Sequence, residues 1–523
     1  MSDVLAGGGV LLAAGAAAAA IVLPAGRPRS LAMLASLLLF PLLILGDQWH
    51  THQIVDLRHD DGRIAALLAL GVGAVAALAY LFRRWPLLLP LAIVAALPFR
   101  VPLHAGGDTA NLLVPLYLVI GGGVIAVLLR DWAARPAGGM GGEDEDGAMH
   151  RPQASPPVAG PAGRAARSLP RLLAAVVLLY ALQTLYSEDF SKGLQNVCFF
   201  LVPFSVVYAL ISDVEWDRRL LVLALWVVGL EAAAFVLVGA VEFASRSLFW
   251  NDQVIRSNEF HTYFRVNSVF WDPNIYGRYL ALAIVLATAP LLWVRERRGF
   301  ALLTALIALL WFGLAQTYSE SSFIALLAGL AVLAALRWSW RWTLAAAAVG
   351  LVGAVLVVLF AGGKSTINLN VLTSGRADLV SGGLDLWTER PLWGYGSGSF
   401  QEAYRDHRES KEAPVTVSHT EPVTVLAEQG LVGFALYLAL IVVALWTMGA
   451  GMWSRAAERA PPYAGRGAVL AAFLALLVHT MAYAGFYEDP IAWVLLAAGA
   501  SLAAAAAREA GAVSGPAAVR DPA

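Results

Sequence analysis

The sequence predicts an all-α polytopic membrane protein of about 14–15 transmembrane helices with a large structured extracytoplasmic loop. Of its 523 residues 59% are hydrophobic and only 14% charged, whereas soluble domains sit nearer ~45–50% apolar. Apolar runs of roughly 17–25 residues, the length a helix needs to cross the hydrocarbon core, recur about fifteen times. Most of the 36 lysines and arginines fall in alternate connections, which sets an orientation.

The first five spans, at about 3–25, 30–46, 62–82, 86–99 and 109–130, lie within an N-terminal group, 1–130. The first has no preceding basic residue and no small-residue cleavage pattern, so it reads as a retained helix. The run 86–99 is short and proline-flanked; it either crosses or forms a re-entrant hairpin. Between the second and third spans, His50, His52 and His59 accompany Asp47, Asp56, Asp60 and Asp61. That spacing is a weak metal-ligand pattern, and a hydrated loop is the simpler reading. Residues 131–170 are rich in Pro, Ala, Gly and charge and read as a disordered inside linker. Ten further spans follow within 171–507, at about 171–186, 197–211, 219–241, 277–294, 300–318, 321–336, 343–361, 430–450, 468–487 and 490–507. Residues 508–523 form an inside tail. Cys198 is the single cysteine, a small core residue that has no partner for an intrachain disulfide. Glu231 lies inside a span, where an ionised carboxylate costs ~2.5–3.5 kcal/mol. It therefore faces the bundle or stays protonated, and is a secondary functional candidate. Gln183, Gln316 and His479 read as interhelical hydrogen-bonding groups.

An outside N-terminus puts Arg27, Arg29, Arg83, Arg84, Arg218, Arg219, Arg295, Arg297, Arg298, Arg337 and Arg341 inside, as the charge bias requires. The net charge of −1 identifies no partner, and nothing points to nucleic acid. Two outer loops, 242–276 and 362–421, keep basic residues against that bias, which calls for a reason. The first holds Phe264-Arg265-Val266-Asn267-Ser268 and then Trp271-Asp272-Pro273-Asn274-Ile275-Tyr276-Gly277, in which Asp-Pro-Asn signals a helix start. In the second, Leu379, Gly383, Leu386 and Trp387 recur at helical spacing after Arg376, which suits a short amphipathic helix on the membrane surface. Pro391 stops it, Gly394 to Gly398 make a hinge or tight turn, and Glu421-Pro422 opens the next helix. His419 then sits just before a helix N-terminus.

For a lipid-linked diphosphate sugar reacting at the outer face, guanidinium groups in a partly dehydrated place would suit the diphosphate leaving group; Arg265 and Arg376 are the candidates, set above the other loop arginines only by the resemblance given below. Imidazole titrates near neutrality, so His419 is the candidate base or acceptor for a sugar hydroxyl. Arg246, Arg256, Arg405 and Arg408 read as readily as anchors to lipid phosphates. The Gly394–Gly398 run lacks the Lys-Ser/Thr ending of a phosphate-cradling loop.

His419-Thr420, nine residues, Gly430, two residues and Gly433 resemble the histidine-centred signature of the O-antigen ligase family. Arg376 with Pro391-Leu392-Trp393-Gly394-Tyr395-Gly396 fits the large periplasmic loop of O-antigen ligases and polymerases. Arg265, Asp272-Pro273-Asn274 and Gly277 are similar to the family's other arginine-bearing outer loop. The resemblance spans roughly 260–440, and its three segments come in the family's order. Thr420 stands where the family more often has Asn, Ser or Gln, and the five N-terminal spans exceed the usual family core. The resemblance implies a GT-C-like glycosyltransferase in the bacterial cytoplasmic (inner) membrane, with its active site extracytoplasmic. Its partners would be a polyprenyl diphosphate-linked oligosaccharide, a saccharide or lipid-glycan acceptor, and membrane lipids. Neither nucleotide sugar, cofactor nor obligatory metal is implied. Arg265 and Arg376 would hold the diphosphate, and His419 would orient or deprotonate the acceptor hydroxyl for inverting attack. Asp272, Asn274 and Glu428 are counted as substrate-binding with the two arginines. Ligase and polymerase differ in acceptor, which the sequence leaves open. The alternative, a transporter or flippase of lipid-linked glycans, would place polar groups near the midplane of its spans. Here they concentrate in the outer loops.

Overall fold

The computed structural model describes residues 3–49, 51, 55, 59–105, 108–133, 161–260, 263–346, 348–349, 376–407, 418–453 and 463–513. The expected span 343–361, the body of the linker, and His50, His52, Asp56 and Arg408 lie largely or wholly outside these. Twelve described helices are long and apolar enough to cross a membrane, so the chain is a multi-pass membrane protein built almost entirely of helices.

The N-terminal group comprises α1 (Asp3–Val22), α2 (Arg27–Asp47), α3 (Asp61–Arg84), α4 (Leu88–Ala96) and α5 (Val114–Ala133). The run 86–99 does not cross: α4 has nine residues, about 14 Å of rise against ~30 Å of hydrocarbon. The chain instead turns back through a hairpin not foreseen in the sequence, β1 (Val101–Ala105) against β2 (Asp108–Leu112), antiparallel from Val101↔Leu112 to Ala105↔Asp108. Gly106-Gly107 join the paired ends in the sequence, a pairing favoured in two-residue hairpin links. The span expected from residue 109 therefore begins at Val114.

Next come α6 (Pro161–Thr184), α7 (Phe190–Asn196) continuing through a π turn into α8 (Val202–Ser212), and α9 (Arg218–Ser245). The outer loop carries α10 (Asp252–Phe260), and α11 (Pro273–Leu291), α12 (Arg297–Thr317) and α13 (Glu320–Arg337) return to the bundle. The large loop holds α14 (Arg376–Glu389) and α15 (Phe400–His407) ahead of α16 (Glu421–Gly449), α17 (Tyr463–Thr480) and α18 (Pro490–Val513). The expected span 468–487 ends early, at Thr480. Residues 481–489 form a strap between α17 and α18.

Aspartates fix where several helices begin by accepting from their free backbone N–H groups. Asp60, from the histidine-bearing loop, accepts from Arg63 N at 2.9 Å. Asp189 does so from Lys192 N, also at 2.9 Å, and Asp217 from Leu220 N at 2.7 Å. At the basic end of the bundle, Arg29 is 5% exposed, so its charge has to be paired. It meets both Asp213 oxygens at 2.9 and 2.8 Å and bonds the carbonyls of Ala20 and Ala209, tying α2 to the end of α8.

Polar groups within the spans reach across helices, as expected of Gln183 and His479, whereas the buried Gln316 Oε1 has no hydrogen bond among the described residues. His479 meets Ser321 Oγ at 3.2 Å, and the Tyr279 hydroxyl donates to Glu231 at 3.0 Å. Gln183 donates to the carbonyls of Gln429 and Trp393. Cys198 is buried. The two arginine-bearing loops gather at the other end of the bundle from Arg29.

Candidate active site

The glycine-rich turn of the large loop is locked to a break in α16. Gly430 has φ 64° and ψ −165° inside the helix, which frees backbone groups on either side. The turn takes them up: Tyr395 N donates to Ala427 O at 3.1 Å and Gly396 N to Glu428 O at 2.8 Å. In the other direction Leu431 N donates to Pro391 O at 2.8 Å and Val432 N to Leu392 O at 3.2 Å. A Cβ at Gly430 would run into the Leu392 carbonyl, and one at Gly394 into the backbone of Glu428; both positions also have positive φ. The Gly430 position and the Pro391–Gly396 run are thus two halves of one backbone joint. Gly430→Ala is expected to cost about 1–3 kcal/mol in backbone strain alone and more through the clash, read as a lower unfolding temperature of the detergent-purified protein.

Glu428 belongs to this joint. Its carboxylate accepts from Gly398 N at 2.8 Å and Phe400 N at 3.1 Å, so both oxygens are used in holding the turn and the start of α15. It borders a cavity of about 60 Å³ with Lys192, Asn196, Glu421 and Glu488. It is not brought among the arginines.

His419 precedes α16 in the left-handed region, φ 59°, a conformation that costs a non-glycine residue roughly 1–3 kcal/mol. Its neighbours pin it there. The Ser418 hydroxyl donates to Thr420 O at 2.7 Å and accepts from Thr420 N at 3.1 Å. The Thr420 hydroxyl reaches Met481 O on the strap. Glu421 accepts from Gly485 N at 2.7 Å and Phe486 N at 3.0 Å. The imidazole is half-buried, and its Nδ1 is buried without a hydrogen bond among the described residues.

Arg265 reaches the same place from the first loop. Its backbone is clamped by Asn258, whose Oδ1 accepts from Arg265 N at 3.0 Å and whose Nδ2 donates to Arg265 O at 2.9 Å. The guanidinium donates to Thr317 O at 2.9 Å and to Asn274 Oδ1 at 3.1 Å. Asn274 also accepts from Ser319 Oγ at 2.9 Å, while Asp272 caps α11 by accepting from Asn274 N at 2.6 Å. Arg376 begins α14 and makes no hydrogen bond or ion pair among the described residues.

Electrostatics ties these groups together. Burial lowers the Arg265 pKa, Asp272 opposes that, and the Arg376 charge adds to it. Burial also lowers the His419 pKa; Arg376 pushes the same way and Asp272 the other. Arg265, Arg376, His419, Asp272 and Asn274 therefore form one cluster, with Glu428 outside it.

The cluster has neighbours that the sequence did not single out. Tyr483 on the strap places its ring 6.2 Å from that of His419 and 5.9 Å from that of His479, with its hydroxyl facing Asp272. Arg278 and Asp489, both almost fully buried, pair at 2.9 Å. Arg100, just after α4, has its pKa lowered by burial, with Asp489, Arg278, Glu488 and Tyr483 acting on it. The N-terminal group thus delivers a cation beside the site, held where the segment after α4 packs on α9 through Phe99 and Phe235, 5.7 Å apart.

Residues 305–438 match the family model described as O-antigen ligase. The match covers 134 of the 523 residues. That match supports assignment to the O-antigen ligase/polymerase family and, in general terms, a lipid-linked glycan-processing function. The matched residues contain Arg376, the joint at Gly430 and His419, whereas Arg265, Arg278, Tyr483 and Asp489 lie outside them. No curated protein matches the chain.

Proposed function

We propose that the protein is a glycosyltransferase that joins or polymerises polyprenyl diphosphate-linked saccharides at the outer face of the bacterial cytoplasmic membrane. The observation that carries this reading is the convergence of Arg265, Arg376 and His419, from three separated segments, on one cluster in which Arg376 and Asp272 act on both Arg265 and His419. Arg265 and Arg376 bind the diphosphate and stabilise the charge that grows on it as it leaves. His419 accepts the proton of the acceptor hydroxyl while the hydroxyl oxygen bonds to the anomeric carbon. The bond from that carbon to the phosphate oxygen breaks with inversion, and polyprenyl diphosphate departs. The guanidinium pair supplies the positive charge that the leaving group needs, so the step runs without a metal. An outer-face site accords with the arginine-rich connections at the opposite end of the bundle.

Deleting the gene is the direct test, with surface glycan and carrier-linked glycan analysed together. Loss of long chains with single repeats still attached indicates polymerisation. Full-length glycan accumulating on the lipid carrier indicates ligation. Unchanged glycan in both pools would overturn the reading.

A further inference from the structure

A general base is usually aimed by a hydrogen bond on its second ring nitrogen, and His419 has none among the described residues, its Nδ1 being buried and unpartnered by them. What meets the imidazole instead is the Tyr483 ring, edge to face at 6.2 Å and inclined by 60°. The strap that carries Tyr483 is itself fixed to the first turn of α16 on both sides of that residue. Before it, Met481 O accepts from the Thr420 hydroxyl; after it, the Gly485 and Phe486 N–H groups donate to Glu421. On its far side the ring packs against His479, 5.9 Å away, which is held by Ser321. Tyr483 therefore has little freedom, and its hydroxyl end faces Asp272.

Resting on the glycosyl-transfer reading above, we propose that Tyr483 is a positioning residue for His419, its ring holding the imidazole in register and its hydroxyl relating that pair to Asp272. Among the described residues, the charged and titratable groups around His419 are Arg376 from α14, Asp272 before α11, Glu421 on α16 and Tyr483 itself, with His479 behind the Tyr483 ring. Of these, Tyr483 is the one whose ring lies against the imidazole. Its removal frees the ring to turn and admits water beside it. Water reduces the burial that lowers the His419 pKa, so the imidazole protonates at higher pH in the variant.

The test uses the full chain in membranes of a deletion strain, which hold that strain's own lipid-linked donor. Tyr483→Ala is expected to lower the transfer rate at saturating donor by about 10–100-fold, the scale of a small misplacement of a reacting group, with the donor concentration for half-maximal rate little changed. In parallel, modification of His419 by diethyl pyrocarbonate, which attacks neutral imidazole, is followed by peptide mass spectrometry against pH. Its midpoint is expected to rise in Tyr483→Ala and to rise less in Tyr483→Phe, which keeps the ring. Should the alanine variant fail to accumulate, Tyr483→Phe and Tyr483→Leu carry the same comparison. A wild-type rate and an unmoved midpoint overturn the proposal, as does a rate loss with the midpoint unmoved, which marks a merely structural role. His419→Ala and Arg376→Ala run alongside. If both keep transfer, the glycosyl-transfer reading fails; if both lose it while Tyr483→Ala is wild type, only the role of Tyr483 fails.

Discussion

Arg376→Ala is expected to lower transfer by about 10²–10³-fold, the cost of removing one preorganised donor from a developing negative charge, while the protein accumulates normally. The second half of that expectation comes from the structure. The Arg376 guanidinium makes no hydrogen bond or ion pair among the described residues, so truncation orphans nothing they contain. Arg265 differs: it donates to Thr317 O and Asn274 Oδ1, so Arg265→Ala is expected to lose activity and some stability together. Arg376→Lys should recover only part of the rate, because an ammonium lacks the flat two-pronged face that matches a phosphate. Transfer is measured in membranes of the deletion strain, with the amount of protein followed by immunoblot. Undiminished transfer in Arg376→Ala would remove the diphosphate clamp.

His419→Ala is expected to lose about 10²–10⁴-fold, the span covered by one general base. The pH profile gives an independent check, with a sign that follows from the site. Burial first, and the Arg376 charge second, lower the His419 pKa, against a smaller opposing effect of Asp272. Neutral imidazole, the form that accepts a proton, therefore persists below the ordinary histidine value of about 6.5. Activity should hold to mildly acidic pH and fall as pH drops through the lowered value. Arg376→Ala removes one cause of the lowering, so the acidic limb of its residual activity moves up. Asp272→Asn removes the opposing effect and moves the limb down, while an asparagine still caps α11. Limbs displaced in the reverse directions would exclude His419 as the titrating base.

Much of this arrangement could be read from residue order. The end of α14 before Pro391, the helix opening at Glu421-Pro422 and the Asp272 cap all rest on local rules of capping and proline geometry, and local rules survive folding. What hydropathy hid were segments that look like membrane and are not. Met481, Tyr483, Phe486 and Tyr487 extend the apolar run of α17, so the strap was counted as span although the helix stops at Thr480. The run 86–99 is apolar because α4 is packed within the protein, and no measure of hydrophobicity distinguishes that from spanning. Glu428 has a structural part that residue order does not show. A carboxylate near the histidine looks available for a sugar until its two oxygens are found committed to Gly398 and Phe400. Gly430 was visible as part of a pattern, but its purpose depends on the Leu392 carbonyl lying against it, a contact between residues far apart in the chain.

The four backbone bonds between Pro391–Gly396 and the break in α16 limit how a bulky lipid-borne donor gains entry. Swinging the whole loop aside like a hatch would unzip all four at once and expose their amides to a greasy surrounding, at a cost of several kcal/mol. Admission must then leave residues 391–396 and 427–432 moving as one block. On the proposed glycosyl-transfer reading, a change of sugar is accommodated outside that block, whose four bonds stay intact.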